Sequence, residues 1–276
     1  MKKVVMLGLI LSGFILIAGC SGGKKAAEEA TVDEYGLPIM MSVALEGNAD
    51  ELNAQIERHP EKVNDIDDRS DRTALIFAIS SDNEHTRLQM VQALLNAGAD
   101  VSLVGPNSTP ALSQSILEND LQVFELLLRQ NADIEQPDWD GSTPLMYAAA
   151  NGNQAMIDTL LKAGAELNKH DEHLLYPVDH ALAMGFSEIA DYLRKLGGVS
   201  SLDNITTVEQ AQALIKTAEI EETEDFFYFQ VFYNNLFAVE LMLRAGCEAD
   251  YRVRELMPDL ENMNRTAMLN TLRKIR

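Results

Sequence analysis

The sequence KHDEH, residues 169–173, carries side chains that could do chemistry at a metal ion. Its His170 and His173 stand beside two carboxylates, and Asp179 and His180 follow a few residues later. Imidazole and carboxylate groups are ligands for zinc and copper, so a metal-binding protein is one interpretation of this cluster. The chain lacks the catalytic spacings H-E-x-x-H, G-x-x-x-x-G-K and G-x-G-x-x-G. We therefore expect no enzymatic activity and no cofactor.

A second reactive residue, Cys20, follows an apolar run near the start of the chain. The lysines at residues 2–3 precede this run, which covers residues 4–18 and is shorter than an ordinary membrane span. The four residues Ile17-Ala18-Gly19-Cys20 resemble the lipobox of bacterial lipoproteins. The resemblance implies cleavage before Cys20 and acylation of that cysteine, and Ser21 behind it implies the periplasmic face of the outer membrane. An ordinary secretory signal is the alternative interpretation.

The chain is strongly acidic, with a formal net charge of −21 that becomes −23 once Lys2 and Lys3 are removed with the signal peptide. Such a charge repels nucleic acid and anionic lipid headgroups, so we expect neither as a direct partner. A lipid anchor would then be the only contact with the membrane. Residues 20–38 contain few apolar side chains, and we predict that they form the lipidated cysteine and a flexible tether.

The middle of the chain has the pattern of paired helices. In the sequence DGSTPLMYAAANGNQAMIDTLLKAGAELN, residues 140–168, Thr143 and Pro144 suit the start of a helix. Gly152 and Gly164 suit the left-handed ends of two successive helices. This sequence resembles the ankyrin repeat, which implies an all-α solenoid of stacked helix-turn-helix units with divergent capping repeats. KHDEH then falls on an exposed turn, which argues against a resident metal.

The same pattern recurs along the chain at about the period of the ankyrin family. Units begin at Thr73, Pro110, Thr143 and Tyr176, which are 37, 33 and 33 residues apart. The predicted organisation is a signal peptide over 1–19, the tether over 20–38, ankyrin repeats over 39–198 and a C-terminal part over 199–276. For that last part we predict an inserted helix at 206–220, a divergent repeat in which Cys247 occupies a small packed position, and a capping helix.

Ankyrin proteins bind partners through their hairpin tips and first helices, and the register of the repeats carries these positions over to this chain. Trp139 is the only tryptophan and lies at a tip position that the fold does not require, although a tryptophan there can also lie back on its own repeat. The predicted protein-binding residues are Arg69, Arg72, Asn107, Trp139, Asp140, Ser142, Asn151, Glu172 and His173.

These observations favour a membrane-anchored protein that works by binding another protein. The architecture resembles ankyrin immunity lipoproteins that are encoded beside secreted lipase effectors, which implies an immunity protein that inhibits an interbacterial phospholipase or lipase toxin. An accessory factor for a periplasmic enzyme such as catalase, and an envelope scaffold, are alternatives. Translation from Met40 or Met41 would give an unlipidated cytoplasmic form.

Overall fold

The computed structural model describes residues 32–203, 205–217, 236–245 and 266–272. The lipobox, Cys20 and Cys247 lie outside these residues, so the predictions made for them stay predictions. Within the described ranges, no helix combines the length and the apolar character needed to cross a bilayer.

The described residues form helices joined by short turns, with two isolated β-bridges in place of any extended sheet. Five successive helical pairs run from residue 39 to residue 195, and three further helices follow. The helices are α1 Ile39–Glu46, α2 Ala49–Arg58, α3 Ala74–Ile79, α4 Glu84–Asn96, α5 Ala111–Leu117, α6 Leu121–Arg129, α7 Pro144–Ala150, α8 Gln154–Ala163, α9 Pro177–Ala183, α10 Ser187–Lys195, α11 Val208–Thr217, α12 Leu236–Arg244 and α13 Thr266–Leu272.

The odd-numbered helices α1 to α9 stack in one row, in which each helix packs on the next. Small residues make this row dense: Ala44, Ala74, Ala148 and Ala181 are fully buried. Because an alanine surface is low, neighbouring helices approach closely and their other side chains fill the core. The even-numbered helices pack on their own partners and form a second row. The result is an elongated solenoid with one continuous hydrophobic core.

The sequence pattern predicts where the first helix of each unit begins, and the structure confirms these positions. Thr73, Pro110, Thr143 and Tyr176 are the residues immediately before α3, α5, α7 and α9. Gly152 and Gly164 have φ angles of 68° and 101°, the left-handed conformation expected at the ends of α7 and α8. Ile157 and Leu160 on α8 are fully buried.

A hairpin turn precedes each of the five helical pairs, and we number these turns as tips. The first tip is residues 33–37, the second 67–72, the third 105–109, the fourth 138–142 and the fifth 171–175. The first tip lies inside residues 20–38, the segment predicted to be a tether, and within that segment residues 32–38 form a turn. There the Asp33 carboxylate accepts the N–H groups of Tyr35 and Leu37 at 2.9 and 2.8 Å, and Val32 forms a bridge with Pro38.

The C-terminal helices close one end of the solenoid. Helix α12 packs against α9 and also contacts α11 and α13. Its Phe237, Val239 and Leu241 are buried. Arg244 at its end donates hydrogen bonds to the carbonyl oxygens of Leu202 and Ile205. This guanidinium therefore fastens α12 to the loop that follows the fifth helical pair.

Candidate functional site

Three of the tips are organised in the same way, each by its own aspartate. Asp33, Asp138 and Asp171 each accept hydrogen bonds from the backbone N–H groups two and four residues ahead. In the second tip, which is one residue longer, Asp67 instead accepts the backbone N–H and the hydroxyl of Ser70. A side chain that occupies the turn's own N–H groups fixes the shape of the loop. These four tips are therefore preformed surfaces.

In the fourth and fifth tips the same aspartate is also tied to the helix behind it. The Tyr147 hydroxyl on α7 donates to Asp138, and His180 Nε2 on α9 lies 2.8 Å from Asp171 Oδ2. Each partner stands nine residues after its aspartate. Burial raises the pKa of Tyr147, and the nearby Asp138 carboxylate raises it further, so the phenol stays protonated and can donate. The two tips are thereby held to the core.

His170 and His173, the two histidines of KHDEH, make polar contacts within the fourth and fifth tips. His170 Nδ1 lies 2.8 Å from the carbonyl oxygen of Asp171, and its ring meets Tyr176 edge to face. His173 Nε2 lies 2.8 Å from Asp140 Oδ1. Among the described residues there is no group of three or more His, Cys, Asp or Glu side chains arranged to hold a metal ion. The imidazoles instead connect tips and helices.

The fourth and fifth tips meet along one edge of the solenoid. The backbone N–H of Glu172 donates to the carbonyl oxygen of Asp140 at 3.1 Å, next to the contact between Asp140 and His173. A Cβ atom on Gly141 would lie 3.0 Å from the backbone nitrogen of Glu172. We call Trp139, Asp140, Glu172, His173 and Leu174 the tip junction.

Two large apolar side chains project from the tip junction. Trp139 is 58% exposed and Leu174 is 46% exposed. Trp139 therefore presents more than half of its surface to solvent, as a binding residue would. Leu174 did not figure in the sequence prediction because it replaces the usual glycine of the turn. The sequence nevertheless marks this position, because Gly141 stands 33 residues earlier, at the matching place in the fourth tip.

The other predicted binding residues divide by their surroundings. Arg69, Asn107 and Glu172 are exposed at their tips. Arg69 donates to the carbonyl oxygen of Tyr35 at 2.7 Å, and Asn107 donates to the Asp71 carboxylate at 2.6 Å. Both side chains therefore join one tip to the tip before it.

Three predicted binding residues are less accessible. Ser142 is only 6% exposed, and Asn151 donates to the carbonyl oxygen of Ile116 in α5, the first helix of the preceding pair. Burial lowers the pKa of Arg72, and the negative charge of Glu118 opposes this change. Register alone places these residues on the face that ankyrin proteins use, but Ser142 is buried and the side chain of Asn151 bonds within the scaffold.

Comparison with protein families identifies the repeated unit. Residues 84–171 and 112–204 match the family model described as ankyrin repeats, in three copies. The matched region, residues 84–204, is therefore an all-α ankyrin-repeat solenoid, and ankyrin repeats are modules for protein–protein interaction. A search of curated proteins found no significant match.

Proposed function

We propose that this protein is a lipid-anchored immunity protein, which binds and sterically blocks an antibacterial effector of the phospholipase or lipase class. The observation that carries the binding part of the proposal is the tip junction. There an exposed tryptophan, which the repeat does not require, stands beside carboxylates on a preformed turn. Tryptophan is enriched among the residues that dominate binding energies at interfaces.

The anchor and the charge support the remaining parts of the proposal. A lipobox ending at Cys20 would hold the protein at the periplasmic face of the outer membrane, close to the lipid that such an effector attacks. A formal net charge of −21, which becomes −23 without the signal peptide, speeds the capture of a basic effector by electrostatic steering, an effect that weakens with salt. Ankyrin repeats supply a binding surface, so inhibition would follow from covering the entrance to the effector's active site.

The test deletes this gene together with the effector gene that we expect beside it. The deletion strain then meets sibling cells that deliver the active effector. We expect the deletion strain to die and the wild-type gene to restore survival. Cys20→Ser should restore survival poorly, because the protein then lacks its acyl anchor, and fractionation should show it away from the outer membrane.

Two further arms make the test specific for the tip junction. Trp139→Ala should weaken binding of the purified effector by about 2 kcal/mol, or about thirtyfold in Kd. Tyr35→Ala is the matched control, because Tyr35 is 63% exposed on the distant first tip. Survival of the deletion strain without the gene would end the immunity proposal. Sensitivity of that strain to peroxide would then favour the accessory role for a catalase.

A further inference from the structure

Leu174 adopts a backbone conformation that suits glycine. Its φ angle is 64°, and the glycines in the same place on the fourth and first tips, Gly141 and Gly36, have φ angles of 78° and 77°. A residue with a Cβ atom is strained in this left-handed region. Leu174 is also 46% exposed, so burial in this chain recovers little of that strain. Strained residues of this kind concentrate at functional sites.

The position of Leu174 relative to Trp139 is fixed by the contacts between their tips. Leu174 directly follows His173, whose ring lies 2.8 Å from the Asp140 carboxylate, and Trp139 directly precedes Asp140. The backbone hydrogen bond from Glu172 to Asp140 adds a second link. Because the turns are preformed, a partner meets both apolar side chains on an ordered backbone, which favours affinity.

The side chains of Trp139 and Leu174 lie in segments rich in carboxylates. Residues 137–144 and 170–177 contain Asp138, Asp140, Glu172 and the buried Asp171 and no lysine or arginine, and Lys169 just outside them pairs with Glu135 at 3.1 Å. Burial raises the pKa of Asp140, and the neighbouring Asp171 and Asp138 raise it further against the opposing effect of His173. An incoming cation would lower the energy of these charges. The surface therefore complements a positive group with apolar flanks.

We propose that the tip junction binds a loop of the protein partner that presents an arginine beside an apolar side chain. The guanidinium meets the carboxylates of Asp140 and Glu172, and the apolar flank lies on Trp139 and Leu174. Arginine fits both halves of this surface, since it pairs with carboxylates and stacks on aromatic rings. The inference rests on the proposed protein-binding function and names the chemistry of the partner.

The experiment selects ligands for the full chain from a displayed library of random peptides. We expect the enriched peptides to carry arginine next to an aliphatic or aromatic residue. Leu174→Gly and Trp139→Ala should each weaken binding of these peptides about tenfold or more, whereas Tyr35→Ala should leave binding unchanged. Glu172→Gln should reduce the salt dependence of binding, and Glu188→Gln, an exposed control on α10, should not.

Thermal melts separate a binding role for Leu174 from a structural one. Glycine relieves the left-handed strain, so Leu174→Gly should keep or raise the melting temperature while it weakens binding. A lower melting temperature together with unchanged peptide binding would show that Leu174 serves the fold, and would overturn the inference. So would a library that yields no peptides or acidic ones. The survival test above does not depend on this selection, so failure of one leaves the other to be judged separately.

Discussion

At the scale of single residues, the aspartates of the tips connect the sequence to the binding surface. Asp171 is only 3% exposed and accepts hydrogen bonds from His180 and from the N–H groups of His173 and Leu175. Burial alone would raise the pKa of this carboxyl. The hydrogen bonds and the nearby imidazole outweigh burial and lower the pKa instead. The ionised form of Asp171 therefore stabilises the fifth tip.

Asp171→Asn should destabilise the protein by about 1–3 kcal/mol at neutral pH, because an amide cannot accept all of these hydrogen bonds. A carboxyl whose pKa is lowered on folding stabilises the protein above its unfolded pKa, near 4. That stabilisation is lost as the pH falls through the folded pKa. The difference between wild type and variant should therefore shrink below about pH 4. Urea unfolding of both proteins at a series of pH values measures this difference in the free energy of unfolding.

The control for this prediction is Asp191→Asn, which changes an exposed carboxylate on α10. We expect it to alter the free energy of unfolding by less than about 0.5 kcal/mol. If Asp171→Asn proves as harmless as this control, the carboxylate does not organise the fifth tip, and the preformed shape of the tip junction must have another origin.

The register of the repeats predicts which residues lie at the candidate site, but it does not predict which of them are exposed and which bond to the scaffold. The repeat pattern puts Trp139 on a tip, and the structure leaves it exposed. The same pattern puts Ser142 and Asn151 on the binding face, yet one is buried and the other bonds to Ile116. Such contacts arise between neighbouring repeats, and a one-repeat pattern carries no information about them.

At the scale of the elements, helix starts were predictable because they depend on local chemistry. The Thr73 side chain caps α3, and Pro144 and Pro177 occupy the first turns of α7 and α9, so residues next to these helices mark where they start. The first tip was missed because it has few apolar side chains and resembles a polar linker. Its aspartate stands five residues before the N-cap of α1, as Asp138 and Asp171 stand before those of α7 and α9.

The turns that follow α7 and α8 allow a test of packing with a matched control. Gly152 and Gly164 both have positive φ angles, so alanine is strained at either site. A Cβ atom at Gly152 would lie 2.6 Å from the ring of Phe186, whereas nothing lies within 4 Å of one at Gly164. Gly164→Ala should therefore destabilise by about 1 kcal/mol, and Gly152→Ala by more.

Thermal melts of the two alanine variants give the comparison directly, because the backbone strain is common to both. The difference between their melting temperatures reports the cost of displacing Phe186. The double variant Gly152→Ala with Phe186→Leu should therefore recover part of the stability that Gly152→Ala loses. Equal melting temperatures for the two single variants would mean that the ring yields freely and that the close approach at Gly152 is unimportant for stacking.

At the scale of the whole molecule, the first tip decides where a stable chain can begin. Pro38 accepts the N–H groups of Met41 and Ser42, and the carbonyl oxygen of Tyr35 accepts a hydrogen bond from Arg69. A chain that starts at Met40 loses these contacts. It should melt at a lower temperature than a chain that starts at Val32, which keeps the first tip, while the tip junction and its ligand binding stay intact.

This comparison bears on the unlipidated cytoplasmic form that we propose from Met40 or Met41. Equal melting temperatures for the chains starting at Met40 and at Val32 would show that the first tip adds nothing to stability. If instead the shorter chain is the less stable one, that form would persist in cells mainly when an effector is bound to it, since binding stabilises the folded state by mass action.

The position of α12 on α9 has a consequence for assembly. A solenoid whose last repeat is uncovered offers a stacking surface that another copy of the same chain can extend, and such head-to-tail contacts lead to open filaments. Here Phe237, Val239 and Leu241 are buried in the cap that covers α9. The number of repeats is therefore fixed at this end. This cap therefore disfavours head-to-tail stacking of a second copy on α9, and it leaves the row of tips as the surface that each molecule offers to a partner.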